Sequence, residues 1–115
     1  MMNTEEIIDL LRAQKFSTPT EEDSGVARAF ASDLMSDVLT LLADQLLLIT
    51  GLNTIQTIRT AEMADIRHVL LVRGKIPDGR MREIAGEHGI ILMSTRFSMF
   101  KSSGILYAAG LEAVY

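Results

Sequence analysis

Three short runs of unbroken apolar residues punctuate the second half of the chain: LLLIT at 46–50, VLLV at 69–72 and IILM at 90–93. A strand buried on both faces has no polar side to alternate with, so such runs predict the central strands of a parallel sheet. After each run the apolar positions switch to steps of three and four. Leu52, Ile55, Ile58 and Ala61 follow the first, behind a turn at Gly51 and a cap at Asn53. Met81, Ile84, Ala85 and His88 follow the second, with Pro77 expected at the first helical position and Gly89 as the stop. Phe100, Ser103, Gly104, Tyr107, Ala108 and Leu111 follow the third, on one face of a helix capped by Ser94 or Thr95 and closed at Gly110.

The first half is less regular. Asn3 or Thr4 caps a helix with Glu5 and Glu6 in its first turn and Ile7, Leu10 and Leu11 on one face. The segment 17–25 (STPTEEDSG) has no period and reads as a loop, and 26–31 (VARAFA) as a short strand. Ser32-Asp33 then caps a helix to about Leu42, carrying Leu34, Val38, Leu41 and Leu42. Alternating strands and helices imply right-handed crossovers and a mainly parallel sheet, an α/β fold with flanking helices. No linker or repeat divides the chain, so residues 1–115 read as one domain, with a core at about 25–111 and an N-terminal helix at about 4–14.

Composition adds one expectation. Hydrophobic residues make up 48 % of the 115, and the mean hydropathy is +0.23. A domain this small has a large surface for its volume, so some apolar side chains stay exposed. That favours a homodimer or a docking face for a partner enzyme or sensor domain. The net charge is −4, and there are four Phe, two Tyr and no Trp, which argues against nucleic acid as a partner. With no Cys there is no disulfide, thiolate nucleophile or Cys-based metal site. The acidic N-terminal segment does not read as a signal peptide, and no apolar run is long enough to span a bilayer. A cytoplasmic setting without membrane contact is therefore expected.

In an open parallel sheet, ligands sit beyond the carboxyl ends of the strands. Here those ends carry Asp33, Thr50, Asn53, Arg73, Gly74, Lys75, Thr95 and Arg96. The cationic side chains would lie near backbone N–H groups of helix starts, a combination that suits a small anion such as a nucleotide or a phosphorylated metabolite. No known phosphate loop matches. Val69 stands where a P-loop needs its first Gly, Ile76 replaces the hydroxyl residue, and G-x-G-x-x-G is absent.

Catalytic equipment is sparse. His68 lies at the mouth of a strand and His88 on a helix edge, with no metal-binding spacing between them. No Ser stands in a nucleophile elbow. Asp33 and Asp37 are four apart, and on one helix face a carboxylate pair could hold a divalent metal, although a cap and a solvated face account for them with less effort. Ser98, Ser102, Ser103 and Lys101 form a polar strip on the last helix, read as surface or as a seam where small residues admit another backbone. The Met residues, notably Met35, Met63, Met81, Met93 and Met99, read mostly as core filler.

The segments ASDLMSDVL (31–39), LLLITGLNTIQTIRTAEMADI (46–66), LLVRGKIPDGRMREIAGEHGIILMST (70–95) and GILYAAGL (104–111) occur in an order that resembles the DRTGG domain family. That family is similar in fold to the N-terminal domains of the HPr kinase/phosphorylase and the MurF ligase. The tract that names the family would fall at 23–29, which reads DSGVARA here. Asp23 is kept, but the Arg, the Thr and the paired Gly are not, so no role is carried over from them. Many members have a second Gly where this chain has Lys75. The resemblance implies an accessory domain beside enzymes or sensors, without a P-loop of its own.

Three functional expectations result. The first is a non-catalytic regulatory or interaction module, homodimeric, with Ser103, Gly104, Tyr107, Ala108 and Leu111 as interface candidates and no cofactor or metal. The second is a small-ligand domain using the strand-end residues. The third is a small metal-dependent hydrolase built on Asp33 and Asp37.

Overall fold

In the computed structural model, which describes residues 1–17 and 24–115, the three apolar runs form β3 (Leu46–Thr50), β4 (His68–Leu71) and β5 (Ile91–Ser94). They lie side by side and parallel, with Leu47 opposite His68 and Leu71 opposite Ser94. Every residue of all three is buried. Successive side chains point to opposite faces, and each face finds its own helical layer. Leu46, Leu48, Val69, Leu71, Ile90 and Leu92 pack with Val38, Ile58, Ala61, Met81 and Ala85. Leu47, Ile49, Leu70, Val72, Ile91 and Met93 pack with Ile7, Leu11, Leu106 and Leu111. The helices of the first layer are α2 (Met35–Val38), α3 (Ile55–Met63) and α4 (Gly79–Glu87). Those of the second are α1 (Thr4–Leu11) and α5 (Met99–Ala108).

Three shorter strands complete a six-stranded sheet. β2 (Arg28–Ala31) runs parallel to β3, and β6 (Glu112–Ala113) parallel to β2 at one edge. β1 (Gln14–Lys15) runs antiparallel to β5 at the other. The order is β1-β5-β4-β3-β2-β6. The mainly parallel α/β architecture expected from the sequence is thus present, with two edge strands that the hydrophobic pattern does not reveal.

Several element starts differ from expectation, each for a local reason. The first helix is as predicted, with Asn3 and Glu6 closing a reciprocal capping box. The strand expected at 26–31 is shorter, because Val26 pairs instead with Met2 in an isolated bridge. Most of the loop expected at 17–25, and Asp23 with it, lies outside the described residues.

The helix expected to reach Leu42 is a single turn. Asp33 does not cap it, because its carboxylate is bonded elsewhere, and Leu34 takes the cap position without a side-chain bond. At the far end the Thr40 amide and hydroxyl both donate to the Asp37 carbonyl, and the chain leaves the helix in tight turns. Leu34 and Leu42 are left 58 % and 100 % exposed. Asp33 precedes the helix that carries Asp37, so the two do not share a helix face.

Asn53 does not cap α3, whose cap position is Thr54. Asp78 caps α4 by accepting from the Met81 N–H, which leaves Pro77 buried just outside the helix. Ser98, not Ser94 or Thr95, caps α5 by accepting from the Lys101 N–H. Gly89 and Gly110 follow their helices with positive φ, as expected of stops. Met35, Met81 and Met93 are core residues, whereas Met63 is exposed. Among the described residues no helix is long and apolar enough to cross a membrane.

Candidate functional site

Parallel strands bring their carboxyl ends to one side of the sheet, and the strand-end candidates meet there as a network of internal bonds. The Asp33 carboxylate accepts from the Thr50 hydroxyl at 3.0 Å and the Gly51 N–H at 2.7 Å, tying the end of β2 to that of β3. The Thr50 oxygen in turn accepts from the Leu52 N–H. Asn53 donates from Nδ2 to the Ile76 carbonyl at 3.0 Å, joining the loop after β3 to the loop after β4.

The turn Arg73-Gly74-Lys75 answers whether its backbone is open to an anion. Arg73 and Gly74 both have positive φ, at 57° and 71°, so two consecutive amides turn toward the β5–α5 loop. There the Arg73 N–H donates to the Phe97 carbonyl at 2.7 Å and the Gly74 N–H to the Thr95 carbonyl at 2.9 Å. The Lys75 N–H donates to Val72, and its carbonyl accepts from the Ser94 hydroxyl at 2.6 Å. Thr95 is buried; its hydroxyl donates to the Leu11 carbonyl and accepts from the Phe97 N–H. This turn's own amides therefore hold the loops together. What remains outward is cationic side chain: Arg73 and Arg96 are exposed and Lys75 half-buried.

His68 is the entry residue of β4, as expected, and is only 3 % exposed. It borders a hollow of about 520 Å³ at the opposite ends of the strands, with Asp44, Asp65 and Arg67. His88 is the last-turn neighbour of α4, its Nε2 3.4 Å from Glu62 Oε2 on α3. Among the described residues no group of three or more His, Cys, Asp or Glu is placed to hold a metal ion.

The second layer has the opposite character. Helix α5 covers β3 but stops short of the sheet edge, so the face of β2 and β6 beside it is bare. The result is an open groove of about 340 Å³ with a floor of Ala29, Ala31, Ile49 and Leu111. Its wall is the outer side of α5, where Ser103, Gly104 and the aromatic rings of Phe100 and Tyr107 stand. Phe100 is 91 % exposed and Tyr107 71 %. The five interface candidates are therefore not alike. Gly104, Tyr107 and Ala108 face solvent, Ser103 is half-buried, and Leu111 belongs to the core below. The expected polar strip is split as well: Ser102 is fully buried on the inward side of α5, and neither its hydroxyl nor that of Ser103 has a hydrogen-bond partner among the described residues. Sequence reasoning missed Ala29, Ala31 and the β6 edge as parts of this groove. Their only signal was small size in a strand.

No family profile and no curated protein matches the chain. A solved structure does. The CBS and DRTGG domains of the regulatory region of Clostridium perfringens pyrophosphatase, complexed with the activator diadenosine tetraphosphate, superpose with a TM-score of 0.79 at 14 % identity. The match covers 91 % of this chain and 46 % of that one, so this chain spans about half the length of its neighbour. That neighbour is a regulatory region, and the likeness supports a DRTGG-like α/β fold for this chain.

Proposed function

We propose that the protein is a non-catalytic regulatory module that acts as a homodimer through the groove beside α5. The observation that carries this reading is the pair of exposed aromatic rings, Phe100 and Tyr107, standing over an apolar groove. An isolated exposed apolar residue is ordinary, but a contiguous patch marks a contact surface. The fold shared with a regulatory region supports the regulatory part. Sedimentation velocity tests the assembly: a dimer is expected at micromolar concentration, and a monomer at every concentration tested ends this reading.

A second reading has its own support in the neighbour's bound nucleotide activator. In this reading the side chains of Arg73, Lys75 and Arg96 would receive a small anionic ligand, with Asp33, Thr50, Asn53, Gly74 and Thr95 as the further candidates of the strand ends. Thermal shift with diadenosine tetraphosphate and with mononucleotides is the direct test. Ligand at 100 times its Kd adds about 2.7 kcal/mol. The shift is expected to vanish in the Arg73→Ala, Lys75→Ala double variant. No shift with any of these ligands, or one that survives both substitutions, rules this version out.

A further inference from the structure

We draw no further inference here: the strongest candidate, the hollow at the amino-terminal ends of β3 and β4 bordered by Asp44, Asp65, Arg67 and His68, carries nothing, because Arg67 and His68 already interact with other groups, the two carboxylates stand exposed, and nothing in the structure selects a ligand for it.

Discussion

The strand ends and the α5 groove differ in what their side chains have left over. At the strand ends polar groups are abundant but engaged: Asp33, Thr50, Asn53 and Thr95 all bond to neighbouring loops. Beside α5 the residues are apolar and engaged with little, and the exposed rings cost the monomer the hydrophobic benefit of burial. Polar residues at the strand ends can thus be structural, while apolar residues without cover point outward. A group that already has its partner within the chain is part of the fold's own stability; a group without one is available for something else.

Two variants press on that contrast, the larger effect first. Thr95→Val keeps shape but removes the hydroxyl shared by the Leu11 carbonyl and the Phe97 N–H. Leaving those buried groups unmatched is expected to cost about 1–3 kcal/mol, read from urea unfolding. An unchanged midpoint would mean that the strand-end network holds little together. The opposite is expected of Phe100→Ser combined with Tyr107→Ser. In dilute solution, where only monomer is present, unfolding should move by less than about 0.5 kcal/mol, because both rings lie outside the core. A loss of several times that size would show that they pack within the chain, and the contrast between the two regions would fail.

Much of the fold was legible because its strongest signals are local. LLLIT, VLLV and IILM have one physical explanation, burial on both faces, and each is a strand within one residue of its expected bounds. The two-residue edge strands β1 and β6 left no such trace, since pairing with a neighbour far along the chain defines them. Cap positions shifted for the same reason. Asp33 and Thr95 are good cap residues by type, but tertiary partners claim their oxygens. For α5 the period was right, and the side it faces could not be read. Phe100, Gly104 and Tyr107 do lie together, but α5 turns Ser102 and Leu106 inward, so the aromatic stripe looks out.

The two sheet edges have a consequence of their own. Exposed strand edges are templates for uncontrolled growth, because their unpaired N–H and C=O groups accept any passing strand. Here both edges are only two residues long, and each carries a charge, Lys15 on one and Glu112 on the other. Lys15 lies 3.6 Å from Glu5, and Glu112 4.0 Å from Arg28. Such short, charged borders discourage the sheet from lengthening into fibrils.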